Sequence, residues 1–188
     1  RDKPLTFGDT MKVKLNNVRL SFPQLFEAKT VNGEGKPAFS AAFLISPKDP
    51  QIKVITEAID AVAKEKWGAK ADAMMKTIRA ADKTCLHSGD LKANYDGFEG
   101  MMYISARNAI KPLVIDVNKT PLTAQDGKPY AGCYVNASVE LWVQDNNYGK
   151  RINATLMGVQ FYKDGESFAG GGVADTDDFD DLSADDLV

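Results

Sequence analysis

Between residues 134 and 143, Val135, Ala137, Val139, Leu141 and Val143 occupy alternate positions, with Tyr134, Asn136, Ser138, Glu140 and Trp142 between them. A period of two belongs to an extended strand, whose successive side chains point to opposite faces. One face of this segment therefore seeks an apolar core, while the other meets solvent or a ligand. A strand of this kind needs partners along both edges, so the rest of the chain must supply them.

Residues 11 to 20 alternate with a slip at Asn16-Asn17, which places Val13 and Leu15, then Val18 and Leu20, on a core face and predicts a bulged first strand. Lys12 and Lys14 project the opposite way. Beyond Phe22-Pro23 and the turn-prone Asn32-Gly33-Glu34-Gly35, residues 38 to 46 form an apolar second strand, and the two are expected to pair as a long hairpin. Asp49 as N-cap and Pro50 at the first helical position open a helix carrying Ile52, Ile55, Ile59, Val62 and Trp67, which Gly68 stops. A second helix is expected over residues 69 to 82, with Ala71, Met74, Met75, Ile78 and Ala81 on one face. Residues 85 to 97 read as loop. Strands follow at residues 100 to 107, 113 to 117 and 151 to 162, and residues 118 to 132 are rich in turns. Five principal strands with a helical insert near residues 50 to 82 predict a mainly β fold, a small partly open barrel, because a parallel α/β sheet would separate its strands with regular helices.

Charge divides the chain in two. Asp175, Asp177, Asp178, Asp180, Asp181, Asp185 and Asp186 stand within residues 175 to 188 with no Lys or Arg among them. Set aside those seven and the formal charge of −3 becomes +4, since 19 acidic residues then face 23 basic ones. Gly170-Gly171-Gly172 reads as a joint, and the composition beyond it predicts a flexible acidic tail over 169 to 188. The domain is expected to span 11 to 168, preceded by an arm or remnant over 1 to 10, since Arg1 is not an initiator. Cys85 and Cys133 are too few for a disulfide scaffold or a cysteine zinc cage. With no apolar run approaching the ~20 residues of a membrane span, a cytosolic protein without membrane contact is expected.

The side chains that invite a functional reading are aromatic and basic and lie on or beside strands: Tyr103 and Arg107, Tyr134 and Trp142, and Lys111, Tyr148, Lys150 and Arg151 at strand ends and turns. Unpaired nucleic acid calls for this mixture, because bases offer flat π faces for stacking while phosphates need a cationic groove. A half-buried sheet also favours Tyr and Trp for packing alone, so composition leaves both readings open. Tyr103 and Arg107 share a face with Met101 and Ser105 and are assigned to a groove, whereas Met102, Ile104 and Ala106 are assigned to the core. Tyr134 and Trp142 should stand exposed unless the helical insert covers them. In the tail, Asp177, Asp178, Phe179, Asp180, Asp181 and Leu182 place apolar anchors among charges, a pattern suited to docking in a basic-rimmed pocket on a partner, to competing with DNA for the protein's own groove, or to solubility.

Enzymatic patterns are weaker. Cys85, His87 and Asp90 lie close in sequence, but His87 is the chain's single histidine and no second cluster completes a metal site. Gly33-Glu34-Gly35-Lys36-Pro37 fails as a phosphate loop because Thr30 stands where the first glycine belongs and Pro37 where Ser or Thr belongs. Asp116, Glu140 and Lys150 would be the makings of a metal-dependent nuclease, with no carboxylate neighbour evident for Glu140. No cofactor, no resident metal and no enzymatic activity are expected.

Four blocks in order, Gly100-Met-Met-Tyr-Ile-Ser-Ala-Arg107, Lys111-Pro-Leu-Val-Ile-Asp116, Tyr130-Ala-Gly-Cys-Tyr-Val-Asn-Ala-Ser-Val139 and Gly149-Lys-Arg-Ile-Asn-Ala-Thr-Leu-Met-Gly-Val-Gln160, resemble a tailed-bacteriophage family of single-stranded-DNA-binding proteins, first catalogued as a domain of unknown function. The resemblance runs over about residues 11 to 168. It implies a five-stranded OB-fold barrel, binding without sequence preference, and a role in phage replication or recombination in the host cytoplasm as a monomer or a dimer. A strand-annealing factor is the alternative. The tail is similar to the acidic ends of bacterial single-strand binders but finishes in Leu187-Val188 where an aromatic is usual, which favours phage partners over host ones.

Overall fold

The computed structural model describes residues 10–31 and 33–168, together with Asp180 and Leu182. Along the chain run β1 (Met11–Val31), β2 (Glu34–Ile45), α1 (Gln51–Trp67), α2 (Ala71–Ala80), β3 (Leu86–Ser88), β4 (Met102–Asn108), β5 (Leu113–Ile115), β6 (Tyr134–Asn146) and β7 (Gly149–Lys163). The alternating segment that constrained the sequence reading is β6. Val135, Ala137, Val139 and Leu141 are buried, while Tyr134, Asn136, Ser138, Glu140 and Trp142 are each half-buried on the outer side.

Antiparallel pairing joins β1 to β2, β1 to β6, β6 to β7 and β2 to β4. The ring is closed by β4 and β7, which run parallel and meet at one register pair, Arg107 with Thr155. Five strands thus form an OB-like closed barrel in the order β1-β2-β4-β7-β6, with β3 added beside β4 and β5 beside β7. The expected loop over residues 85 to 97 is therefore corrected: it contains β3 and a short 3-10 turn at Gly89–Lys92. Three residues are too few to show a period of two, and their pairing with Met102–Ile104 comes from further along the chain.

The slip at Asn16-Asn17 is a bulge, where the β1–β6 register shifts between Leu15 and Val18 and Asn17 adopts φ 53. Its freed backbone groups are recaptured by side chains. Asn16 N donates to Gln51 Oε1 (2.7 Å), Gln51 Nε2 donates to Asn16 O (2.9 Å), and Asn17 N donates to Asn136 Oδ1 (2.9 Å). Because Gln51 opens α1, the bulge also fixes where the helical insert begins. Asp49 Oδ1 accepts from Gln51 N (2.9 Å), although Pro50 holds the cap position one residue later than the sequence implied.

From α1, Ile55, Ala58, Ile59, Val62 and Ala63 join the same buried cluster as Leu15, Phe43, Ile104, Val139, Leu141 and Leu156. α2 adds Ala71, Met75 and Ile78, whereas Met74 is half-buried and Ala81, expected on that face, is exposed. At the far end of α1, Trp67 Nε1 donates to Asp145 Oδ2 (2.9 Å), and this bond, with help from Lys150, holds the Asp145 carboxyl below its ordinary range. Among the described residues no helix is long and apolar enough to cross a membrane.

Leu141 is fully buried at the junction of barrel and helices. Leu141→Ala is expected to cost about 2–5 kcal/mol of unfolding free energy through lost transfer energy and a residual cavity. Urea unfolding would show it as a lower midpoint with an unchanged slope.

Candidate nucleic-acid interface

The parallel seam between β4 and β7 is where the barrel is thinnest. Only Arg107 and Thr155 are in register, and before that pair the strands diverge and bond to an intervening segment instead. Ile152 N donates to Lys83 O (3.0 Å) and Ser105 N donates to Cys85 O (3.0 Å), so residues 83 to 85 act as a wedge in the seam. Above the wedge lies a pocket of about 500 Å³, lined by Thr84, Cys85, His87, Ser105, Ala106, Arg107, Trp142, Gln144, Arg151, Asn153, Ala154 and Thr155.

Each strand delivers its side chains there by alternation. On β4, Ile104 and Ala106 face the core, which leaves exposed Ser105 and Arg107 outside. On β7, Ile152, Ala154 and Leu156 face the core, which leaves Arg151, Asn153 and Thr155 outside. β6 contributes Trp142, directly across from Asn153, and Gln144, whose Oε1 accepts from Asn153 Nδ2 (2.9 Å). The pocket thus holds two guanidinium groups and an indole, and among the described residues none of its lining is acidic. Guanidinium groups match phosphate oxygens, and an indole face suits a base. His87 sits at the edge with Nδ1 2.9 Å from Asp82 Oδ1.

Three of the residues singled out in the sequence, Arg107, Trp142 and Arg151, are brought together. No residue of α1 or α2 lines the pocket, so the helical insert does not cover Trp142 there, and Trp142 is half-buried. Tyr148, 90% exposed, and Lys150, paired with Asp145 (3.4 Å), stand on the β6–β7 hairpin that carries Trp142 and Arg151. The others lie elsewhere on the barrel. Lys12 and Lys14 are exposed on β1 opposite Glu140 and Ser138, and Lys111 holds its Nζ 5.4 Å from the Phe26 ring. Tyr134 has the Arg19 guanidinium at 5.6 Å and Lys163 Nζ at 5.1 Å.

Tyr103 departs from the expected exposure, though not from the expected face. It points outward like Arg107, yet it is only 5% exposed, because a second layer covers this part of the barrel. Tyr103, Ala42, Leu44 and Phe98 form a small buried cluster with Met101 and Phe168 against it. The Tyr103 ring meets Phe98 edge-on at 5.1 Å and lies 5.0 Å from His87, and burial, with Asp82 nearby, pushes its hydroxyl pKa up. The covering segment follows Ser88, and Gly89 is required there, since a Cβ would come within 2.0 Å of Phe98 O. The same layer presents aromatic groups that the sequence reading passed over. Phe22 is 46% exposed and Tyr95 45% exposed, their rings meet edge-on at 5.0 Å, and Lys92 Nζ lies 5.9 Å from Phe22. A loop aromatic has no period, so only the pairing of Phe22 with Pro23 in a bulged strand hinted at it.

The catalytic readings find no support in the geometry. Burial pushes the Cys85 thiol to about 12, and Cys133 to about 11, so neither offers a thiolate. Asp116 is paired with Lys128 (3.1 Å) and Lys150 with Asp145, so the proposed nuclease trio is not assembled. Among the described residues no three His, Cys, Asp or Glu side chains gather as a metal site. Asp177, Asp178, Phe179 and Asp181 lie outside the described residues, whereas Asp180 and Leu182 are exposed.

A family model described as the ssDNA-binding protein of Enterobacter phage Enc34 matches residues 11–188. Protein p50 of Acyrthosiphon pisum secondary endosymbiont phage 1 is 52% identical over 176 residues, covering 92% of this chain and 95% of that protein. Among solved structures, the single-stranded DNA-binding protein of bacteriophage Enc34 in complex with ssDNA superimposes with a TM-score of 0.70 at 26% identity, over 89% of this chain and 99% of the other. Bacteriophage T7 gp2.5, a single-stranded DNA-binding protein, shares the fold with a TM-score of 0.54 at 14% identity, over 87% of this chain and 97% of its own.

Tyr103→Ala is expected to behave as a core truncation, lowering unfolding free energy by about 3–5 kcal/mol, the range of buried Phe or Trp truncations. Thermal melting of that variant should reveal it, and an unchanged melting temperature would return Tyr103 to the exposed surface.

Proposed function

The chain belongs to the family of the Enterobacter phage Enc34 single-stranded-DNA-binding protein, and from that membership we propose that it binds unpaired DNA without sequence preference, through the seam pocket. The observation that carries this reading is the convergence of Arg107, Arg151 and Trp142 in a pocket whose described lining includes no acidic residue. Arg107 and Arg151 take phosphates, Trp142 stacks on a base, and Tyr148 and Lys150 extend the contact along the β6–β7 hairpin. Stacking and phosphate contacts do not depend on base identity, so discrimination rests on whether bases are free to stack. Coating single strands in the host cytoplasm during replication or recombination needs no bond-breaking step, and the reading is of a non-enzymatic protein.

The acidic tail is proposed to modulate binding and to recruit replication or recombination partners. Phe168 supports the first role. Its ring packs on the Tyr103 cluster with the Arg19 guanidinium at 4.4 Å, and its N donates to Ala131 O (3.1 Å). Residues beyond it therefore start on the outer face of the sheet that leads to Arg107, at high effective concentration near the cations they would occupy.

Tryptophan quenching by oligo-dT against duplex DNA at matched salt is expected to show strong preference for the single strand. Equal affinity would overturn the reading. Arg107→Ala should flatten the log–log salt dependence by about 0.7 for one lost phosphate contact.

Deleting residues 174 to 188 removes seven negative charges from a body of formal charge +4. Affinity for single strands should rise, most at low salt, and the gain should fade as screening shortens the Debye length below ~10 Å. An affinity unaffected by the deletion at low salt would leave only partner docking or solubility for the tail.

A further inference from the structure

We propose that Phe22 and Tyr95 form a second base-stacking platform for a nucleotide of the same DNA strand, separate from the seam pocket. It rests on the functional reading above and adds a site to it.

Burial explains Phe98, which is fully covered, but it does not explain its neighbours. Phe22 and Tyr95 pack on Phe98 at centroid distances of 5.8 and 6.2 Å and are still 46% and 45% exposed. Two exposed aromatic residues held edge to face, and backed by a buried third, make an ordered aromatic surface open to solvent. The backbone is bent to present it. Phe22 has φ 48, a left-handed conformation that disfavours a bulky side chain, at the point where the β1–β2 register breaks between Ser21 and Gln24.

Register shows where the platform lies. Ser21 pairs with Ala42 and Gln24 with Ser40 on β2, and those two pair with Ser105 and Arg107 on β4. From Phe22 the outer face thus leads across Ser40 and Ala42 to Arg107 and on to the seam pocket. The route from β1 through β2, β4 and β7 to β6 takes four inter-strand steps around the outer face of the barrel. An aromatic group stands at each end, with Arg107 between them.

Charge tells which part of the nucleotide the platform receives. Lys92 is flanked in its loop by Asp90, Asp96 and Glu99, and its Nζ lies over aromatic faces, 5.9 Å from Phe22 and 5.7 Å from Tyr103. A loop with three acids and one base is a poor phosphate site. The phosphates pass on the Arg107 side, and the platform takes a base.

Phe22→Leu and Tyr95→Leu keep apolar packing on Phe98 while removing the π face. Each should weaken oligo-dT binding about 5- to 150-fold, the range of a lost stacking contact, while leaving the log–log salt slope unchanged. Photo-crosslinking the unaltered protein to an iodouracil-substituted dT oligomer should mark Phe22 or Tyr95. That second measurement does not depend on how well a variant folds. If the unaltered protein binds oligo-dT but both variants bind equally well and neither residue is marked, the platform is overturned and the seam pocket stands. If it fails to bind oligo-dT at all, the functional reading falls, and the platform with it.

Discussion

Closure is the constraint from which the site follows. A five-stranded sheet can lose its edges only by joining its first and last members, and here the last join is the parallel contact of Arg107 with Thr155. Parallel strands that meet at a single register pair must spread on either side of it. The wedge of residues 83 to 85 takes up the stranded backbone donors, and the space above it becomes the pocket. The cavity that gathers both arginines is the remnant of an incomplete seam, so the feature that closes the fold also provides the surface proposed to bind DNA.

Alternation then decides what each strand can offer. Every barrel strand commits one face to the Leu15, Phe43, Ile104 and Leu141 core, and the other face is left to act. Two fates are visible on that outer face. Around Tyr103 and Leu44 it is roofed by Phe98, Met101 and Phe168 and becomes a second, smaller core. Around Ser105, Arg107 and Thr155 no roof is present among the described residues, and polar and cationic side chains line the pocket.

This division explains what could be read from the sequence. The core face of β6, the bulge at Asn16-Asn17, the start of α1 and its arrest at Gly68 all arise from neighbours within a few positions, and each leaves a local mark. The assignment of Arg107 outward and Ile104 inward came from the same period. Alternation alone puts Tyr103 on the outward, groove-side face, whereas the roof over it is built from the loop after β3 and from Phe168, far along the chain. Local pattern identifies a face but not what later covers it. Phe22 and Tyr95 escaped for a related reason: one stands in a bulge and the other in a loop, and their meeting is a tertiary event.

The order in which the barrel is assembled has its own consequence. β1 can pair with β2 as soon as the hairpin is complete, yet its other edge pairs with β6, from Met11 with Leu141 to Arg19 with Tyr134. β7, which completes the ring, comes after β6. Contacts this distant along the chain carry a large loop-closure cost and slow the search for the native state. During synthesis the N-terminal hairpin and the helices therefore wait with one edge of β1 unsatisfied, a period of aggregation risk. The seam pocket is completed late for the same reason: Arg107 is made early, but Trp142 and Arg151, which line the pocket with it, arrive with the strands that shut the barrel.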